Sequence, residues 1–140
     1  MKHLLVIDDE PFVRDALKRV LEASEVRVDV AVDAESGLLQ IARQAYDLVI
    51  LDIIMPGMDG VQLIRQLRAD YPAISIIAIS GGGNFELSGY RPEAVSTQAY
   101  LAAASSAGAD GVLAKPFETD ELEALVRPML KTGAARKKLS

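Results

Sequence analysis

Acidic side chains stand directly after two apolar stretches of this sequence. The run "LLVI" (4–7) is followed by Asp8 and Asp9, and the run "LVIL" (48–51) is followed by Asp52. A carboxylate at the end of a buried apolar segment is costly unless it is paired or coordinates a cation. Carboxylate oxygens are ligands that Mg²⁺ prefers, so the three acids would suit that ion if the fold brought them together.

Two further apolar runs end in polar groups of another kind. The run "AISIIAIS" (73–80) finishes with a hydroxyl, Ser80, and "GVLA" (111–114) is followed by an ammonium, Lys115. A hydroxyl and an ammonium beside a metal ion would suit the oxygens of a phosphoryl group. Each residue alone has an ordinary alternative, because a strand-end Asp is commonly a helix cap and a Lys before Pro commonly lies on the surface. The joint pattern indicates a site.

Strands alternate with helices along the chain. Short apolar runs predict strands at 3–7, 26–32, 47–52, 73–80 and 111–114. Helical periodicity and capping residues predict helices from Pro11, after Asp33, over 60–70 after Asp59, over 95–107, and around 122–129. The apolar face predicted for the second helix comprises Leu38, Ile41, Ala42 and Ala45. Pro128 predicts a kink or an early end in the last helix.

This alternation predicts an α/β fold, a doubly wound sheet of five parallel strands covered by five helices. Ligands of such sheets bind outside the carboxyl ends of the strands. The three carboxylates, Ser80 and Lys115 would therefore meet at one edge. Neighbouring carboxylates raise one another's pKa, and a divalent cation relieves that repulsion.

Length and composition narrow the class of protein. A chain of 140 residues fits one domain, and half of its residues are hydrophobic. Because there is no cysteine and one histidine, His3, disulfides and sites with thiolates or two histidines are excluded. The apolar runs are shorter than the ~20 residues of a membrane span, and the first one is too short for a signal peptide. We expect a cytoplasmic protein without a membrane partner.

Charge divides the chain into an acidic body and a basic end. Residues 131–140 carry four of the 15 basic residues and no acid, which leaves 11 basic against 20 acidic residues in 1–130, a net charge of −9. An acidic body argues against a nucleic-acid partner. We expect a domain over 1–130 and a basic tail over 131–140, either a solvated, frayed terminus or a docking segment.

Taken together, the motifs resemble those of a response-regulator receiver domain, the phosphoacceptor module of two-component signalling. The matching stretches are "VIDDEP" (6–11), "DLVILDIIMPGMDG" (47–60), "IIAIS" (76–80) and "GADGVLAKPF" (108–117). The resemblance covers about residues 3–130. It implies a flavodoxin-like sheet with strand order 2-1-3-4-5.

The resemblance also implies a role for each site residue. Asp52 would accept the phosphoryl group, and Ser80 and Lys115 would bind its oxygens. The implied Mg²⁺ ligands are Asp9, Asp52, the backbone carbonyl of Ile54 and, through a water molecule, Asp8. The Lys115–Pro116 peptide is commonly cis in this family, which the tertiary amide makes accessible.

The implied function is that of a single-domain response regulator, since ten residues follow Leu130. The phosphoryl donor would be a sensor histidine kinase or a histidine phosphotransfer protein. The output would be phosphorylation-dependent binding to a protein target, through the face of the fourth helix, fifth strand and fifth helix. The protein would catalyse only its own phosphorylation and dephosphorylation, and is therefore not expected to be an enzyme in the usual sense.

Three features depart from the family pattern. Val112 stands where family members often carry the Tyr or Phe of an aromatic switch. The connection between the fourth strand and fourth helix is long, with an extended segment, Gly81–Ala94, that could form a mobile lid through Gly81–Gly83 and present Phe85, Leu87 and Tyr90. Neither Ile54 nor Gly82 offers a polar side chain to orient an attacking water, which predicts slow self-dephosphorylation.

Other functions fit the motifs less well. A haloacid-dehalogenase-type phosphatase needs a second acid two residues after the nucleophile, where this chain has Ile54. A flavodoxin-like FMN carrier needs a hydroxyl-rich loop after the first strand, where this chain has "DDEP". The remaining alternative is a degenerate receiver that binds partners without phosphorylation. The complete set of site residues argues against it.

Overall fold

A computed structural model describes residues 2–23, 25–55, 58–80, 93–115 and 117–139. The strands of the main sheet are β1 (His3–Ile7), β2 (Arg27–Ala31), β3 (Leu48–Asp52), β4 (Ser75–Ser80) and β5 (Gly111–Ala114). The helices are α1 (Pro11–Glu22), α2 (Ala34–Arg43), α3 (Gly60–Asp70), α4 (Glu93–Ala107) and α5 (Thr119–Leu139). A two-residue antiparallel pair, Ile54–Met55 with Met58–Asp59, lies between β3 and α3.

Over the described ranges the main sheet has the order β2-β1-β3-β4-β5, and every neighbouring pair is parallel. The predicted doubly wound α/β fold and its strand order are thereby confirmed. Because β3 lies in the centre, its apolar residues Leu48–Leu51 are fully buried. The apolar content of "LVIL" follows from this position, since a central parallel strand is covered on both faces.

Alternate residues of each strand face opposite sides of the sheet and build two cores. On β1, Leu5 and Ile7 pack with α2, α3 and α4, whereas Leu4 and Val6 pack with α1 and α5. This period of two puts helices on both faces. The carboxyl ends of the five parallel strands therefore lie at one edge of the sheet.

Most predicted boundaries agree with the structure to within two residues. β2, β3 and β4 are shorter than predicted at one or both ends, and α4 begins two residues earlier than predicted. The predicted caps are confirmed, because Asp33 accepts a hydrogen bond from the Ser36 amide and Asp59 accepts one from the Val61 amide, each at 2.8 Å. Short polar side chains satisfy free amides at helix starts in this way.

The predicted face of α2 is partly wrong. Ala42 and Ala45 are exposed, and the residues that α2 buries are Ala34, Gly37 and Ile41. Gly37 lies so close to the Ile7 side chain that an added Cβ would stand 2.5 Å from its Cδ1. An apolar count misses this face because glycine contributes no hydrophobic signal.

Of the two outcomes predicted at Pro128, an early end is wrong, since α5 continues to Leu139, and a kink stays a prediction. Leu122 and Val126 are buried before the proline, and Met129 and Leu130 pack partly against the same core after it. This packing on both sides offsets the lost hydrogen bond of the proline. A domain boundary at residue 130 and a role for the basic tail stay predictions.

Some expectations concern residues outside the described ranges. They are the segment 81–92, with the proposed lid glycines and contact residues, and Pro116, with the expected cis peptide. Within the described part of the chain, no helix is both long and apolar enough to cross a membrane.

Candidate functional site

The carboxyl ends of four strands bring the predicted site residues together. Asp52 is the last residue of β3 and Ser80 the last of β4, while Asp8 and Lys115 directly follow β1 and β5. Asp8, Asp52 and Ser80 are almost completely buried, with exposed fractions of 1%, 3% and 0%. Buried polar groups need partners, so their contacts define what the site can do.

Lys115 links the carboxylates. Its Nζ lies 3.1 Å from Asp52 Oδ2, 3.3 Å from Asp8 Oδ2 and 3.5 Å from Glu10 Oε1. Its backbone amide donates to the Ser80 carbonyl at 2.7 Å, which ties the residue to the end of β4. The ammonium is therefore held at the centre of an anionic group.

Backbone amides hold the other oxygens of the two buried acids. The Ile54 amide donates to Asp52 Oδ1 at 2.9 Å, and the Glu10 amide donates to Asp8 Oδ1 at 2.9 Å. Each carboxylate thus has one oxygen fixed by the chain and one facing Lys115. This arrangement sets the orientation of Asp52 before any ligand binds.

Burial dominates the electrostatics of these groups. Burial raises the pKa of Asp52 to about 6, although Lys115 and the Ile54 amide oppose the shift. Burial likewise raises the pKa of Asp8. For Lys115, burial lowers the pKa, but the charges of Asp52 and Asp8 outweigh it and the net shift is upward. The lysine stays an ammonium, but its single positive charge does not fully neutralise the buried carboxylates.

A bound metal ion would add the positive charge that the carboxylates lack. Carboxylate oxygens of Asp8, Asp9, Glu10 and Asp52 all lie within 4.8 Å of one another. Oxygen donors of this kind and number suit a hard divalent cation, which would neutralise part of the buried charge. The described residues thus contain an acidic cluster that could hold a metal. The roles of individual ligands, including the Ile54 carbonyl, stay predictions.

Ser80 carries an unsatisfied hydroxyl. Its Oγ is buried and has no hydrogen-bond partner among the described residues. Such groups are rare in folded proteins, so the buried hydroxyl at the end of β4 is a candidate for bonding a ligand oxygen.

Two residues of the site were not predicted from the sequence. Glu10 belongs to the acidic cluster, and the Arg14 guanidinium donates to the Asp8 carbonyl at 2.8 Å. Glu10 directly follows Asp8 and Asp9 in the run "DDE". The sequence therefore shows a third acid there, but it does not show which way the Glu10 side chain points. Arg14 carried no comparable signal, because its contact depends on how α1 leaves the sheet.

Val112 lies on β5, half-buried, and packs against the core on the side of α2, α3 and α4. The absence of an aromatic side chain at this position is a fact of the sequence. Its effect on a conformational switch stays a prediction.

Comparison with known proteins agrees with this geometry. A family model described as the response regulator receiver domain matches residues 4–90. The chain is 36% identical over 135 residues to the KDP operon transcriptional regulatory protein KdpE of Escherichia coli, a match that covers 96% of this chain and 54% of that protein. Another relative is the two-component response regulator PhoP of Pseudomonas aeruginosa, 34% identical over 131 residues, which cover 94% of this chain and 52% of PhoP. The chain spans about half the length of the curated relatives it matches.

Solved structures show the same likeness over whole domains. The receiver domain of NtrX from Brucella abortus has a TM-score of 0.76 at 31% identity, covering 92% of this chain and 98% of that one. The response regulator protein TrrA from Thermotoga maritima, solved in complex with Mg²⁺ and BeF, has a TM-score of 0.72 at 32% identity. That match covers 92% of this chain and 99% of TrrA.

Proposed function

The chain belongs to the response-regulator receiver domain family of two-component signalling, and we propose that its Asp52 accepts a phosphoryl group in an Mg²⁺-dependent reaction. The observation that carries the proposal is the setting of Asp52. It ends a fully buried central strand, one of its oxygens is held by a backbone amide, and the other faces Lys115 at 3.1 Å.

Asp52 acts as the nucleophile. A carboxylate oxygen forms a bond to phosphorus while the bond from phosphorus to the donor atom breaks, and the donor leaves with the electron pair. Burial disfavours the charged form of Asp52, so its carboxylate is poorly stabilised before the reaction. The carboxylate is stabilised when its charge is shared with the phosphoryl group. The Lys115 ammonium lies close enough to Asp52 to pair with a phosphoryl oxygen once the group is transferred.

The acidic cluster supplies the metal site. Asp9 and Asp52, the Ile54 carbonyl and, through water, Asp8 would hold Mg²⁺. When bound, the ion supplies neutralisation of charge on donor and acceptor oxygens. Support for the site comes from four acids within 4.8 Å of one another.

Ser80 would bind the phosphoryl group during and after transfer. Its buried Oγ lacks a partner within the described ranges and can donate to a new phosphoryl oxygen at the adjacent strand end. A hydroxyl that gains a bond when Asp52 is phosphorylated would couple the charge at Asp52 to the end of β4. The output signal would begin there.

The partners follow from the family. We propose a sensor histidine kinase or a histidine phosphotransfer protein as donor. The downstream target would be a protein that binds the face of α4, β5 and α5, with no nucleic acid or membrane bound by this domain. The protein would act in the cytoplasm as a phosphoacceptor, catalysing only its own phosphorylation and slow dephosphorylation.

Incubation with Mg²⁺ and acetyl phosphate, followed by intact mass spectrometry, tests the proposal. The wild type is expected to gain the mass of one phosphoryl group, and neither Asp52→Asn nor the wild type in EDTA should do so. Exposed Asp15→Asn is the matched control and should be phosphorylated like the wild type. An unmodified wild type would instead favour a degenerate receiver that binds partners without phosphorylation.

A further inference from the structure

Glu10 occupies an unusual place at the start of α1. It is the N-cap residue, where Ser, Thr, Asp or Asn usually bonds a free amide of the first turn. Its side chain makes no such capping bond. The helix therefore begins with a residue that is poor for capping, and its carboxylate is used elsewhere. Local rules broken in this way are expected at functional positions.

The carboxylate of Glu10 points to the site. Its Oε1 lies 3.5 Å from Lys115 Nζ, so the ammonium faces a third acid besides Asp8 and Asp52. The side chain of Glu10 is 35% exposed, whereas those of Asp8 and Asp52 are 2% and 3% exposed. Asp9 and Glu10 are thus the partly exposed acids of the cluster, and Glu10 contacts Lys115.

Charge makes that position consequential. Four clustered carboxylates lie beside Lys115 and the Arg14 guanidinium, and Glu10 is a partly exposed member of the cluster that contacts the ammonium. A small phosphoryl donor is itself an anion, so it meets repulsion from Glu10 and competes with Glu10 for Lys115.

Building on the proposed function, we infer that Glu10 is a specificity-determining residue that slows phosphorylation by small anionic donors. A protein donor differs because its own surface can neutralise Glu10 as the two proteins dock. The residue would thereby favour a phosphohistidine protein over free acyl phosphates. Asp8 and Asp52 cannot serve this purpose because they are buried.

Phosphorylation by acetyl phosphate exchanges one bond to phosphorus for another. An Asp52 carboxylate oxygen forms a bond to the phosphorus of acetyl phosphate, and the bond from phosphorus to the acetate oxygen breaks. Acetate leaves with the electron pair, and no proton has to be transferred.

Rates of adduct formation with acetyl phosphate at saturating Mg²⁺ test the inference. Glu10→Gln is expected to react faster than the wild type by about tenfold at low salt, since one charge a few ångströms from a dianion is worth roughly 1.4 kcal/mol. The difference should shrink as the ionic strength passes about 0.15 M. Asp15→Asn, which removes an exposed charge on the same helix, should react at the wild-type rate at every salt concentration.

Glu10→Ser separates this effect from a change in folding. Serine can cap α1, so this variant should melt at a higher temperature than the wild type and also react faster. Equal rates, a slower Glu10→Gln, or a gain that does not depend on salt would overturn the inference, and a slower variant would show that Glu10 assists Lys115. A wild type that forms no adduct would remove the proposed function and this inference with it. A wild-type adduct with unchanged variant rates would overturn the inference alone.

Discussion

Replacing Asp52 with asparagine is expected to stabilise the metal-free protein near neutral pH. The pKa of Asp52 rises from 3.8 to about 6, chiefly because the group is buried. Each pKa unit corresponds to about 1.4 kcal/mol between the two protonation states. Asparagine resembles the neutral acid, so Asp52→Asn should raise the free energy of unfolding by about 2 to 3 kcal/mol at about pH 7.5.

The sign of the pH dependence follows from the raised pKa. The folded protein binds a proton at Asp52 more readily than the unfolded chain does, so this group's favourable contribution is complete below pH 3.8 and is lost as the pH rises through about 6. The advantage of the Asn variant should therefore be largest above pH 6 and should disappear towards pH 4. This trend distinguishes relief of a buried charge from a general improvement in packing.

Urea unfolding followed by far-UV circular dichroism, with EDTA present, measures the effect. Wild type, Asp52→Asn and the exposed control Asp15→Asn are compared at about pH 7.5 and about pH 4.5. The control should change stability by less than about 0.5 kcal/mol at either pH. An Asn variant no more stable than the wild type at the higher pH would refute the assignment of Asp52 as a strained, buried anion.

Further predictions concern the surroundings of the site. Gly60→Ala should lose about 3 kcal/mol in urea unfolding, because its Cβ would stand 2.4 Å from the Cα of Ile53, whereas Gly111→Ala meets a flexible methionine end at 3.0 Å and should lose under about 1 kcal/mol. Ser80→Ala should keep stability within about 1 kcal/mol, since its Oγ is unbonded within the described ranges, yet slow phosphorylation by on the order of tenfold to hundredfold. Arg68→Met should lose about 3 kcal/mol, as its guanidinium donates five hydrogen bonds at the opposite edge of the sheet, without changing the phosphorylation rate.

The fold was predictable because its signals are local. Short apolar runs mark the strands, and the caps at Asp33 and Asp59 lie where a short polar side chain precedes a periodic segment. Pro128 shows the limit of such signals, since packing on both sides of it carries α5 further than local propensity predicts. Gly37 shows another, because its close contact with Ile7 has no hydrophobic signature.

The sequence predicted those site residues whose positions are determined by the ends of the strands. Parallel pairing alone brings Asp52, Ser80 and Lys115 to one edge, so their residue types were enough. The direction of Glu10 was not available from its type, because an N-cap side chain can bond its own helix or turn away. In this fold the Glu10 side chain points to Lys115 and makes no capping bond to its own helix. Its direction therefore depends on a charge that is distant in sequence.

Locating the phosphoryl group is the most direct measurement of the central claim. The wild-type protein is treated with Mg²⁺ and acetyl phosphate, quenched with borohydride, digested and sequenced by mass spectrometry. Borohydride reduces an aspartyl phosphate to homoserine, so the account predicts homoserine at position 52 and unchanged aspartate at positions 8 and 9. Homoserine at position 8 or 9, or none at position 52 despite a phosphoryl adduct on the intact protein, would contradict it.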